Sequence, residues 1–324
     1  MSRSVPQVIA VAAVAIGVLL FAVTLYYIDM EETFASARQL GLAFPVILIP
    51  GTCWHLLRTW GWAVAFPEGS RPAFTRLFRV RLAADAIAFF TVRGIAGEPL
   101  KVLLLYDRVA PEVTAAAVAL ERLAFAVIGI VIAAVISLAA VTRLSLPRAW
   151  DTMFSLLIVG AVLALAIAIL VARRRSDDYL GRLVETLDRR HRLGGSRVVR
   201  FILDVEHVLL QLVRGDRRRL VTLTVLAAVC YGLMAVEVWL VLWAVGAPSG
   251  VMEALTVETF ARLASVASAA IPGNIGALEA SNAAVVAALG LAGGGALALA
   301  RRIRALLWAA AGLALYPRIR ERRR

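Results

Sequence analysis

The chain has 324 residues, 61% of them hydrophobic, a mean hydropathy of +0.83 and a net charge of +13. That apolar content excludes an ordinary soluble domain and makes the bilayer the solvent. The basic residues, 34 arginines and one lysine, stand beside apolar runs where anionic headgroups are the nearest partner, which sets a nucleic-acid role aside.

Three runs carry no charge: Val5 to Ile28, Leu123 to Thr142 and Thr152 to Ala172. Each reaches the roughly 20 residues a helix needs to cross a hydrocarbon core about 30 Å thick. The first is read as a retained helix, because it is long for a signal peptide and no small-x-small cleavage site follows it. In chain order the sequence predicts helices over about 5–28 and 41–66, an interrupted stretch over 72–108, and helices over about 113–142 and 151–172. A basic segment over 173–218 comes next, where "LDVEHVLLQLV" spaces its apolar residues for one helix face. A helix over about 219–246, a second interrupted stretch over 252–291 and a last helix over about 296–316 complete the chain. Between Arg173 and Arg219 there are 13 arginines against seven acids, and the tail "RIRERRR" adds five more. The positive-inside rule puts that segment, the loop around Arg71 to Arg81 and both termini in the cytoplasm.

The two interrupted stretches correspond without a gap. "RLAADAIAFFTVRGIAGE" runs from Arg81 to Glu98 and "RLASVASAAIPGNIGALE" from Arg262 to Glu279. Each passes from Arg-Leu-Ala through a short apolar segment to a glycine-containing break and then a glutamate. The predicted break residues are Gly94 and Gly97 in the first, Pro272, Gly273 and Gly276 in the second. Lipid cannot satisfy the backbone groups a break leaves unpaired, so such a segment must face protein or a water-filled cavity. Two broken elements at matching places in opposed halves suggest an inverted repeat with a binding site near the midplane. The predicted class is all-α: a polytopic membrane bundle with two re-entrant helices. It forms one membrane domain over 1–324, with halves at about 5–172 and 219–316, a linker at 173–218 and a basic tail at 317–324.

Motifs in these stretches resemble a known family. "RGIAGEPLKVLLL", "ALERLAF" and "IPGNIGALEASNAAVVAALG" are similar to the membrane domain of lysylphosphatidylglycerol synthases and flippase-like relatives, over about residues 10–316. The resemblance implies a helical bundle with re-entrant segments that moves lipids or lipid-linked headgroups between leaflets of a bacterial cytoplasmic membrane. The soluble aminoacyl-transferase domain of the bifunctional synthases is not expected. Matching positions are Gly97, Glu98, Lys101, Glu121, Arg122, Pro272, Gly273, Gly276 and Glu279. The chain departs from the pattern at Thr91 and Val92, where a proline is expected, at Phe125, where an acid is common, and at Asn274, where a second glycine is usual.

Charges at bilayer depth cost at least about 2.5–3.5 kcal/mol each on insertion scales, so they mark candidate sites. Glu98 and Lys101 share a helix face and either bind substrate or pair with each other. Glu279, with Asn282 three residues on, lies far in sequence from any cation. Glu121 and Arg122 stand in the helix over 113–142, where Arg122 can also snorkel to the interface. Arg301, Arg302 and Arg304 interrupt the last helix, and their planar forks suit phosphate; the alternative puts them at that helix's outer mouth. The substrate-binding set is therefore Glu98, Lys101, Glu121, Arg122, Asn274, Glu279, Asn282, Arg301, Arg302 and Arg304, with Glu98 and Glu279 expected to line one cavity.

His55 and Arg58, beside Trp54 and Trp60, read as an interfacial anchor, and Arg81 and Arg262 as marks of where the broken segments begin. Cys53 and Cys230 form no metal or redox pattern, and His191 and His207 stand apart from any ligand cluster. No catalytic motif, cofactor or metal is expected. The preferred function is translocation of a lipid with a polar or phosphate-bearing headgroup through a groove lined by both breaks. The alternatives are a membrane enzyme using Glu98 and Glu279 as acid and base, and a non-catalytic partner of a lipid-modifying complex.

Overall fold

The computed structural model describes residues 40–91, 97–173, 197–247, 249–268 and 277–317. The predicted helix over 5–28, Gly94, Pro272, Gly273, Asn274, Gly276, residues 174–196 of the basic segment and most of the basic tail lie outside the described residues.

A 3-10 turn, Gly41–Ala43, leads into α1, Phe44–Ala65. Then come α2, Phe74–Phe90, α3, Gly97–Leu105, α4, Pro111–Arg143, and α5, Arg148–Arg173. The later helices are α6, Arg197–Gly215, α7, Arg217–Ala244, α8, Val251–Ala267, α9, Ala277–Ala288, and α10, Gly294–Ala314. Local chemistry sets several of the ends. Pro45 sits in the first turn of α1, where its missing N–H is not needed, while Pro50 further along cannot donate to the carbonyl four residues back. At the end of α2 the backbone of Thr91 turns extended, and its hydroxyl donates to the Ile87 carbonyl at 2.9 Å. Asp216 caps α7 by accepting from the Arg218 N–H at 2.8 Å.

The apolar residues form two main cores. The first gathers Trp62 and Phe66, Leu77 and Val80, Leu104 and Leu105, Ala116 and Leu120, with Leu212 and Leu223. The second gathers Ile47, Val238 and Leu242, Val257, Val285 and Val286, Leu297 and Ala300. α1 therefore enters at the second core and ends in the first, while α7 starts at the first and ends in the second. These helices pack on each other and run antiparallel, with one core at each end of the pair. Around them α2 packs on α10 and α4 packs on α8. The contact of α2 with α10 is very close: a Cβ on Gly312 would lie 2.2 Å from the Leu82 carbonyl oxygen. At the first core α6 lays Leu212, with Val205, Val208 and Leu209 beside it, against α4, and leaves Asp204, His207 and Gln211 exposed.

Among the described residues, three helices are long and apolar enough to cross a membrane by length and composition: α4, α5 over Arg148–Ile167, and α7. They differ in place. The most apolar windows of α4 and α5 are 11% and 6% buried by protein, against 56% for α7, so α7 is central and the α4–α5 hairpin peripheral. α1 and α10 match the predicted spans in length, with 22 and 21 residues. They fall short in composition because α1 carries His55 and Arg58 and α10 carries Arg301, Arg302 and Arg304. What those charges meet defines the site.

Candidate functional site

Charge is buried in two networks, one around each core. The first centres on Glu121, nearly three turns into α4 and 2% exposed at its side chain. Arg58 on α1 reaches it through Nε at 2.8 Å and Nη2 at 3.1 Å, and Arg81 on α2 through Nη2 at 3.0 Å. Arg81 also donates to the Arg58 carbonyl at 2.8 Å, which ties α2 to α1, and faces Asp85 at 3.7 Å. Lys101 on α3 donates to Glu98 at 3.1 Å and faces Asp85 at 3.9 Å. Arg122 closes the network on the other side of Glu98.

The second network centres on Arg301 in α10. It pairs with Glu258 on α8, donates to the Asn282 side chain on α9 at 3.0 Å and faces Glu237 on α7 at 3.9 Å. Arg304 reaches Glu237 at 3.1 Å and packs its side chain over Gly51 of α1. Arg262 bonds Glu258 at 2.7 Å with its guanidinium 4.3 Å from the Tyr231 ring centre. Arg302 donates through Nε to Glu279 at 2.7 Å. In each network four cations stand with three carboxylates, a formal excess of one positive charge. Removing carboxylates and guanidinia from water is expensive, and only this density of partners makes their burial tolerable.

One face of α1 joins the two networks. Gly51, His55 and Arg58 follow at helical spacing; Gly51 meets Arg304, His55 packs 4.3 Å from the Trp308 ring, and Arg58 joins Glu121. The structure thus brings the predicted residues together in two groups: Glu98, Lys101, Glu121 and Arg122 in one, Glu279, Asn282, Arg301, Arg302 and Arg304 in the other. Glu98 and Lys101 do pair with each other, as one reading of their spacing had it. Glu279 has a cation partner after all, 23 residues away in sequence. The arginines of α10 lie well inside the helix that begins at Gly294, not at its outer mouth. Gly97 is buried at the start of α3, where a Cβ would meet the Ala84 carbonyl of α2 at 3.0 Å.

Several members differ from their expected roles. His55 and Arg58 are not an interfacial anchor: His55 is buried and Arg58 is a main partner of Glu121. Arg81, 1% exposed, is a core ion-pair partner rather than a mark of an interface. Asp85, Glu237 and Glu258 were not singled out at all. Glu237 had a legible signal, since it is the only charge between Arg219 and the end of α7. Phe125, where the family pattern favours an acid, instead offers its ring to the Arg58 guanidinium at 4.1 Å.

Among the described residues every regular element is helical, and long apolar helices that share buried ion pairs are the features of an integral membrane protein. The family follows from comparison with known sequences: the chain matches the lysylphosphatidylglycerol synthase TM region over residues 9–314 and belongs to that family. Membership ties it to the handling of membrane lipids. No curated protein and no solved structure matches it.

Proposed function

We propose that the chain is a lipid translocase, which moves a lipid with a polar or phosphate-bearing headgroup between leaflets along the two charge networks. The observation that carries this reading is their correspondence. Each half supplies a helix before a predicted break (α2, α8), a short helix after it (α3, α9) and a following helix (α4, α10), and each such trio holds one network together with one residue of the preceding helix, Arg58 on α1 or Glu237 on α7. Antiparallel α1 and α7, with α2 on α10 and α4 on α8, make the arrangement that an inverted repeat requires. On this reading a polar headgroup passes from one network to the other beside the His55 face of α1. Arginines receive the phosphate, and carboxylates hold the arginines when no lipid is bound.

The test is reconstitution into liposomes containing fluorescent phospholipid, with chemical quenching of the outer leaflet and mass analysis of the recovered lipid. A translocase makes inner-leaflet probe accessible with its mass unchanged. Glu279→Gln is expected to abolish that movement while still eluting as a single species in detergent, and Arg143→Gln, at the exposed end of α4, to leave it intact. Unaltered movement in both Glu279→Gln and Glu98→Gln, or a lipid product of altered mass, would overturn the reading.

A further inference from the structure

On the last helix of each trio, α4 and α10, two adjacent residues reach the two helices that flank the predicted break. On α4, Glu121 reaches back to Arg81 on α2 and Arg122 reaches Glu98 on α3. On α10, Arg301 reaches back to Glu258 on α8 and Arg302 reaches Glu279 on α9. The first residue of each dipeptide has opposite charge in the two halves and so does its partner, yet the second is arginine on glutamate both times.

Burial separates the two kinds of pair. Side chains of the first kind are sealed: 2% and 2% exposed for Arg81–Glu121, 7% and 5% for Arg301–Glu258. In the second kind one member is open to its surroundings, Arg122 at 49% in the first half and Glu279 at 31% in the second. An open pair can exchange partners at small cost, whereas opening a sealed pair strands a charge. The exchange is also provided for. When Arg122 turns away, Glu98 keeps Lys101 at 3.1 Å. Arg302, 8% exposed, has its Nη1 buried without a hydrogen-bond partner. Both glutamates stand in the first turn of their helices, as the second residue of α3 and the third of α9, where the backbone N–H groups favour an anion.

We propose that Arg122 and Arg302 are exchangeable ligands for the phosphodiester of a lipid headgroup, one in each half, while Glu121 and Arg301 hold the fixed ion pairs that keep each break together. This rests on the translocase reading and gives it a substrate group and two stations. The arginine fork takes two phosphate oxygens at once, which a single carboxylate oxygen does not match, so phosphate displaces glutamate as the lipid arrives and glutamate expels phosphate as it leaves.

The experiment is equilibrium binding of fluorescent phosphatidylglycerol to the full chain in detergent, with inorganic phosphate as a separate ligand. Two sites per chain are expected. Arg122→Gln and Arg302→Gln each remove one, and the double variant removes both. Glu98→Gln and Glu279→Gln tighten binding about tenfold, because the competing carboxylate is gone; a merely structural pair gives the opposite sign. Arg122→Lys and Arg302→Lys keep the ion pair but lose the fork, and weaken binding about tenfold. Weaker binding in Glu98→Gln or Glu279→Gln, or full affinity in the lysine variants should the others not fold, overturns the assignment. So does binding of inorganic phosphate with no binding of phosphatidylglycerol. If the binding pattern holds but liposomes show no movement, translocation fails and the sites stand. If lipid moves while Arg122→Gln and Arg302→Gln bind normally, the sites fail and translocation stands.

Discussion

Glu121 shows how narrowly a buried charge is balanced. It answers two guanidinia, Arg58 at 2.8 Å and Arg81 at 3.0 Å, both on other helices. Glu121→Met leaves those cations facing each other in an apolar setting, with Asp85 at 3.7 Å the remaining carboxylate near Arg81. Breaking one partner of a buried pair costs about 3–5 kcal/mol, and replacing both partners with apolar residues returns much of it. Thermal unfolding in detergent should therefore show Glu121→Met strongly destabilised and the double variant Glu121→Met, Arg81→Met less so. Arg262→Gln, at a guanidinium 37% exposed, should cost under about 1 kcal/mol. If the double variant is as unstable as the single one, Arg81 is not the partner that makes Glu121 tolerable. Most members of the networks could be found in the sequence because charge is conspicuous in an apolar run. Their partners could not, since Glu121 and Arg58 stand 63 residues apart and only packing brings them together.

At the scale of helices the sequence was readable wherever hydropathy alone decides. The predicted 113–142 and 151–172 became α4, Pro111–Arg143, and α5, Arg148–Arg173, since an uncharged run of that length has one way to satisfy its backbone in lipid. The expected helices over 41–66 and 296–316 are likewise found as α1 and α10, although polar and charged residues lower their hydropathy; the ion pairs of Arg58, Arg301, Arg302 and Arg304 restore what composition takes away. The close pairing of helices was not readable, because it depends on the absence of an atom. Gly312 looks like any glycine in sequence, yet a Cβ there would strike the Leu82 carbonyl at 2.2 Å and the Ala86 side chain at 2.8 Å. Backbone cannot yield as a side-chain tip can, so Gly312→Ala should separate α2 from α10 and destabilise by about 1–3 kcal/mol. Gly129→Ala on α4, where a Cβ has nothing within 4 Å, serves as the control and should be neutral or slightly stabilising. Equal unfolding temperatures for the two variants would mean that the α2–α10 contact is looser than its geometry.

For the whole molecule the question is which core faces which side of the membrane. α1 and α7 run antiparallel between the cores, so fixing one end fixes the other. The first core lies beside α6, which is itself part of the arginine-rich sequence between Arg173 and Arg219, and beside the 66–73 turn ahead of α2. Positive charge is retained in the cytoplasm, so the expected orientation has this core inside and the second core, with the 144–147 turn at the far end of α4, outside. The assignment is tested by cysteine labelling in intact cells after Cys53 and Cys230 are replaced; Cys230 is buried and Cys53 half-buried, so both substitutions should be small and apolar. Exposed Ser145→Cys should react with an impermeant reagent from outside, while Glu68→Cys and Ser176→Cys should react only after the membrane is opened. Labelling of Ser176→Cys in intact cells would invert the molecule. The arginine asymmetry would then have to answer to something other than the membrane, and the station at Arg122 would face the outer leaflet instead of the inner one.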